Sequence, residues 1–219
     1  MNPSPYYTSL GLKIVDLAAG LLYNSDIMPG HSREAKPLLF MKTGLIGAEP
    51  QDFYPELASA FGATVISPKE VYKTTFGRTS GRPTADQRRY MNDEAERQTR
   101  DTLLEGVNVL YDGYLNTRNR RTTVRALAEP MGGQVVLLCV QAPIAVIRER
   151  LVEKARTKHP DDAEAALYEM RGFRSVMKGM VASLEQPLGD EPHLFLNGEL
   201  PVEALVEQTR QYVTAQLAL

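Results

Sequence analysis

Apolar residues fall along the chain in short uniform runs separated by stretches of helical period. Pro37–Met41 is uniformly apolar and of strand length, the pattern of a central strand covered on both faces of a parallel sheet. Ala63–Ser67, Asn108–Asp112, Gln134–Val140 and His193–Leu196 read as four further strands. Helical patterning lies between them: from Asp52 toward Gly62, from Thr84 to about Glu105, and through Arg118 to about Met131. It returns from Ile144 to about Lys158, from Ala163 to Leu184 and from Val202 to about Leu217. Strand and helix alternating through five strands predict an α/β fold, a three-layer α/β/α sandwich around a five-stranded parallel sheet with right-handed crossovers.

Upstream of the first strand, Leu10, Ile14, Leu17, Leu21 and Leu22 recur at helical spacing and predict an amphipathic helix from Ser9 to about Tyr23. Residues 1–36 are therefore expected to be a helical extension preceding a domain over 37–219. This helix either packs on the core or forms a contact with a protein partner. Its polar face has few basic residues, which argues against a membrane surface.

Composition narrows the picture. The 219 residues are 43% hydrophobic, enough for one sizeable core. A formal charge of −2 gives no global attraction to nucleic acid or membrane, so any basic site must be local. The single cysteine, Cys139, sits in an apolar run and reads as a small buried hydrophobe; one cysteine excludes intrachain disulfides and multi-cysteine metal sites. No apolar run spans a bilayer, and a cytoplasmic protein is expected.

The chemistry centres on the turn after the first strand, Lys42-Thr-Gly44-Leu45-Ile46-Gly47-Ala48-Glu49-Pro50-Gln51-Asp52. A phosphate-binding loop has glycine, four residues, then Gly-Lys-Ser/Thr. The glycines turn backbone amides toward an anion, the lysine reaches the terminal phosphates and the hydroxyl holds magnesium. Gly44 and Gly47 keep their places, but Glu49, Pro50 and Gln51 stand where Gly-Lys-Ser/Thr would be. Glu49 adds a negative charge where phosphates would lie, a repulsion of roughly 4 kcal/mol at about 4 Å and an effective dielectric near 20. Pro50 removes an amide donor. The helix that follows should start with Asp52 as its N-cap, placing a carboxylate over the positive end of the dipole. An ordinary strand-to-helix turn remains the alternative reading.

Asp112 closes the third strand, at the sheet edge where ligands of α/β proteins gather; it can equally be a turn or cap residue. Arg118, Arg120, Arg121 and Arg125 follow, either as bidentate phosphate holders or as a solvated helix face. Lys73–Arg89 carries five cations against the single acid Asp86, with Gly77, Gly81 and Pro83 marking loop, and is either an anion-binding face or a solvated segment.

Taken in order, these features carry a resemblance. Gly44-Leu-Ile-Gly47 before a helix, Val65-Ile-Ser67 with Glu70-Val71, Val109-Leu-Tyr-Asp112 before an arginine-bearing helix, and Ala142-Pro143 followed by Arg148-Glu-Arg150-Leu151 cover roughly four fifths of the chain. From about Lys36 onward it resembles the P-loop kinase group that includes polynucleotide-kinase-like, zeta-toxin-like and small-molecule kinases. The resemblance implies a nucleotide, ATP or GTP with Mg2+, over Lys42, Gly44, Leu45, Ile46, Gly47 and Ala48. It also implies a second substrate across the sheet edge and a lid around residues 150–175 that supplies arginines. The positions it marks as catalytic are Asp112, Arg118, Arg121 and Arg150. The acid usual after the second strand, often the general base, falls on Lys69, the loop lysine on Pro50 and the magnesium hydroxyl on Gln51.

Three functions are compatible with this pattern. The first is a kinase-like fold with a degenerate phosphate loop, a pseudokinase that acts by binding a ligand or partner. The second is an active phosphotransferase that replaces the lost charge with Lys42 or Lys69 and holds a metal with Asp112 and Asp52. The third is a binder of nucleic acid or a phosphorylated ligand through Lys73–Arg89 and Arg118–Arg125, which would show a steep salt dependence.

Overall fold

A computed structural model describes residues 36–77 and 83–217, all within one unit, Ala35–Leu219. The helix expected over Ser9–Tyr23 and the basic residues Arg78 and Arg82 lie outside the described residues.

Five strands form one parallel sheet in the order β2-β3-β1-β4-β5, with β1 (Leu38–Gly44) at its centre. Its neighbours are β3 (Val109–Tyr111) and β4 (Gln134–Gln141); β2 (Thr64–Ile66) and β5 (His193–Asn197) are the edges. Alternate residues of β1 enter different cores, as a period of two requires. Leu38 and Phe40 pack with Phe53 and Leu57 of α1 (Phe53–Phe61), Ile147 of α5 (Ile144–Lys158) and Leu205 of α7 (Val202–Leu217). Leu39 and Met41 pack with Val71 of α2 (Pro68–Phe76), Ala95 and Leu103 of α3 (Ala85–Leu104) and Val124 of α4 (Arg118–Arg125). The three layers expected from the alternation are present. A further helix, α6 (Ala163–Ser183), sets Phe173 and Met177 against the first core.

The expected strand ending at Met41 runs three residues further. Lys42, Thr43 and Gly44 pair with Leu138, Cys139 and Val140 of β4, so the ladder carries these less apolar residues to the sheet edge. Pro68–Lys73, to which the sequence pattern assigns no element, opens α2 with Pro68 in the first turn, where its missing N–H costs nothing. The helix expected to reach Met131 stops at Arg125 and resumes as a 3-10 turn over Glu129–Met131, because Pro130 cannot continue an α-helix. α3 begins where Thr84 suggests: the Thr84 hydroxyl accepts from the Gln87 N–H and the Gln87 side chain accepts from the Thr84 N–H. None of the described helices is long and apolar enough to cross a membrane.

At the amino edge of the sheet, Asn108 joins three elements. Its Oδ1 accepts from the Leu38 N–H at 2.8 Å, its Nδ2 donates to the Phe61 carbonyl at 2.8 Å, and its own carbonyl accepts from the Thr64 N–H at 2.8 Å. This side chain fixes the start of β1 against the end of α1, and so sets where the carboxyl end of β1 emerges.

Candidate functional site

The carboxyl end of β1 turns through Gly44 and Gly47, both at positive φ, +138° and +84°. At Gly44 the requirement is steric as well: a Cβ would lie 2.6 Å from the Val140 carbonyl oxygen. The chain then reaches α1 with Asp52 at the N-cap position, as expected. However, Asp52 makes no side-chain cap bond. Its ψ of 5° is outside the extended region from which a cap side chain reaches the second or third helical N–H, so the expected carboxylate cap is not formed.

Lys42 and Asp112 come together at the mouth of this turn. β1 and β3 are neighbours, and the Asp112 N–H extends the β2–β3 ladder by donating to the Ile66 carbonyl at 2.8 Å. The Lys42 ammonium is in direct contact with the Asp112 carboxylate, lies 3.9 Å from Glu49 and sits 4.4 Å from the centroid of the Tyr54 ring. One cation thus faces two carboxylates and an aromatic face, which leaves the group with an excess of negative charge. Burial, then Glu49 and Asp112, push the Tyr54 hydroxyl well above the usual tyrosine range, so it stays protonated.

Lys69 opens α2 beside this group. Burial, then Lys73 and Lys154, lower its pKa, while Glu70 and Asp112 act the other way. The neighbouring Ser67 hydroxyl donates to the Asp112 carbonyl at 3.3 Å.

The three arginines marked by the kinase resemblance are occupied by the protein itself. Arg150 of α5 donates to the Ala48 and Gly198 carbonyls at 2.7 Å each and to the Gly47 carbonyl at 3.4 Å. It ties the back of the glycine turn to the end of β5. Gly198 permits this approach, since a Cβ there would stand 2.0 Å from the Ala48 oxygen. Arg118 and Arg121 find their partners on the α6–β5 connection, not on the glycine turn. Arg118 pairs with Asp190, and its N–H donates to Glu185 at 2.6 Å. Arg121 is fully buried and paired with Glu191. Arg120 in turn meets Glu96 at 2.7 Å. The acids Glu185, Asp190 and Glu191 are invisible in the sequence as partners, because nothing local announces a pairing across about seventy residues.

Among the described residues no cluster of three or more potential metal ligands occurs. Where the resemblance places the loop lysine and the magnesium hydroxyl, Pro50 and Gln51 offer neither ammonium nor hydroxyl; Glu49 is a carboxylate, and Lys42 is paired with Asp112. The Cys139 thiol, 2% exposed, is pushed up to about 12 by burial and is a neutral wall, as expected of a buried cysteine.

A family model described as an AAA domain matches residues 40–177. Among solved structures, a sugar kinase from Janibacter sp. HTCC2649 in unliganded form superposes with a TM-score of 0.57 at 17% identity, over 82% of this chain and 95% of that one. A protein of Chloroflexus aurantiacus j-10-fl described as a candidate kinase superposes with a TM-score of 0.56 at 16% identity, over 81% of this chain and 98% of that one. No match is found among curated proteins. At such identities the likeness is one of fold, and that fold is P-loop kinase-like.

Proposed function

The chain belongs to the AAA domain family, and from that premise we propose that it is a degenerate P-loop kinase-like protein. In this reading it has lost ordinary ATP-dependent phosphotransfer and acts by holding a ligand or a partner. The observation that carries the reading is the state of Lys42. The cation at the carboxyl end of β1 is held by Asp112 and faced by Glu49, so it has little charge to offer a phosphate.

Phosphoryl transfer depends almost wholly on positioning and charge neutralisation. Here the loop lysine and the metal-binding hydroxyl are replaced, and the position of the usual base carries a cation, Lys69. Arg118, Arg120 and Arg121 of α4 also face carboxylates, which weakens the case for a phosphate or nucleic-acid face over Arg118–Arg125.

The test is calorimetric titration of the purified protein with ATP and GTP, each with and without Mg2+. Absence of heat up to millimolar nucleotide is the expected result. Micromolar, magnesium-dependent binding would overturn the reading and favour an active phosphotransferase. Loss of turnover on Asp112→Asn would then identify that carboxylate as part of its machinery.

A further inference from the structure

Beside the glycine turn, on the β4 side, lies a cavity of about 230 Å³, room for roughly seven or eight waters at liquid density. The Lys42–Asp112 pair does not line it. Its walls are apolar at Leu45, Ile147 and Leu184, and its polar groups are Thr43, Gln141 and Gln186. No charged side chain lines it, and the thiol that does, Cys139, is neutral near pH 7. Placing a charged ligand there would strip part of its water without supplying an opposite charge, which is unfavourable.

Thr43 provides a second and independent observation. It is only 6% exposed, on the β1 residue paired with Cys139, and its Oγ1 has no hydrogen-bond partner. Buried hydroxyls are nearly always satisfied, so this orphan, on a residue of the cavity wall but itself covered, marks where a partner belongs once its cover shifts. The roof of the cavity is also held in place. Leu184 and Gln186 flank Glu185, whose N–H donates to the Asn116 carbonyl at 2.8 Å and whose carbonyl accepts from Arg121 at 2.9 Å. Arg121 is thereby a positioning residue for this roof.

We infer that this cavity takes a small uncharged molecule with an apolar body and one amide, carbonyl or hydroxyl edge that meets Thr43 Oγ1. The inference deepens the binding role proposed above and rests on it, because the cavity shares Gly44, Leu45 and Ala48 with the glycine turn. An anion at the turn and a neutral guest beside it would compete for the same backbone.

The probe pair is nicotinamide and nicotinate, which share a ring and differ in charge. Both are titrated calorimetrically into wild type, Thr43→Val and Gln186→Leu, and thermal unfolding of each protein is recorded without probe. Nicotinamide is expected to bind wild type at millimolar probe, with nicotinate and both variants weaker by roughly tenfold, the worth of one hydrogen bond. Thr43→Val should keep or raise the unfolding temperature, since it removes an orphan hydroxyl at constant shape; a hydroxyl already satisfied would show a fall. If Thr43→Val fails to fold, Gln186→Leu still reads the site.

Silence of nicotinamide on folded wild type, equal binding of nicotinate, or undiminished binding by both variants overturns the inference. The first of these would make the cavity a water-filled void. Mg-ATP, titrated into the same sample, separates the two readings. Nucleotide binding defeats the proposed function whatever nicotinamide does, whereas a failure of nicotinamide alone leaves it standing.

Discussion

Arg121 and Glu191, 70 residues apart, are joined by two parallel hydrogen bonds of 2.9 and 2.8 Å, with the guanidinium fully buried. The fork also donates to the carbonyls of Leu115, Asn116 and Glu185, so α4 and the connection into β5 share one charge. The desolvation cost of such a pair largely offsets its attraction, but removing one partner leaves a charge buried alone. Arg121→Met should therefore cost about 3–5 kcal/mol in urea unfolding. The double variant Arg121→Met/Glu191→Met should recover much of that loss. A single variant within about 1 kcal/mol of wild type would show that the pair is not buried in solution.

The same pair sets part of the acid limit of stability. The hydrogen bond from Arg121 holds the Glu191 carboxyl below the usual glutamate range, against the effect of its burial. A folded pKa below the unfolded value of about 4.3 contributes stability above that pH, and the contribution fades as pH falls through the lower, folded value. Wild type and Glu191→Gln should thus differ in Tm near pH 6, and the gap should close below about pH 4. Thermal unfolding from pH 7 to 2 on both proteins checks it; a gap independent of pH would assign the effect to packing.

Asn108 carries a third consequence. Replacing it with alanine strands the Leu38 N–H, on a residue 7% exposed, and removes the donor to the Phe61 carbonyl. Loss of one partner of a buried hydrogen bond costs about 1–3 kcal/mol. Asn108→Ala should lower stability by that order, and Asn108→Asp, which keeps the acceptor but turns a carboxylate oxygen toward the Phe61 carbonyl, should fall at least as far. Chemical denaturation of the three proteins gives the ranking, and equality of alanine with wild type would remove Asn108 from its linking role.

These cases also separate what the sequence could carry from what it could not. The strands and long helices are legible because their apolar residues repeat at periods set by two-sided burial, as Leu38–Met41 and Phe53–Leu57 do. The helix α2 is not, since only Pro68 and Val71 of its nine residues are buried and the rest reads as loop. At the candidate site, the glycines and Asp112 are marked by position in the chain. The partners that decide what its charges do are tertiary: Lys42 reaching Asp112 and Glu191 reaching Arg121. Arg150 shows the limit most plainly. Its place in the chain suggests a phosphate ligand, while its donors face the Gly47, Ala48 and Gly198 carbonyls.

The glycine turn itself offers a gain-of-function test. Gly44 and Gly47 adopt positive φ, and on the proposed reading the parts a phosphate cradle lacks here are the side chains at 49–51. Glu49→Gly/Pro50→Lys/Gln51→Ser removes the like charge, returns an amide donor and supplies an ammonium and a hydroxyl. A charge-assisted hydrogen bond contributes about 1.5–3 kcal/mol, so magnesium-dependent ATP binding should strengthen by at least roughly tenfold over wild type. The variant Glu49→Gly/Gln51→Ser, which keeps Pro50, should gain less. Calorimetry on the three proteins measures the ranking. Equal silence from the restored loop would mean that the block lies deeper, in the Lys42–Asp112 contact or the Arg150 tether, and Lys42→Met and Arg150→Ala added to the restored loop would then tell those two apart.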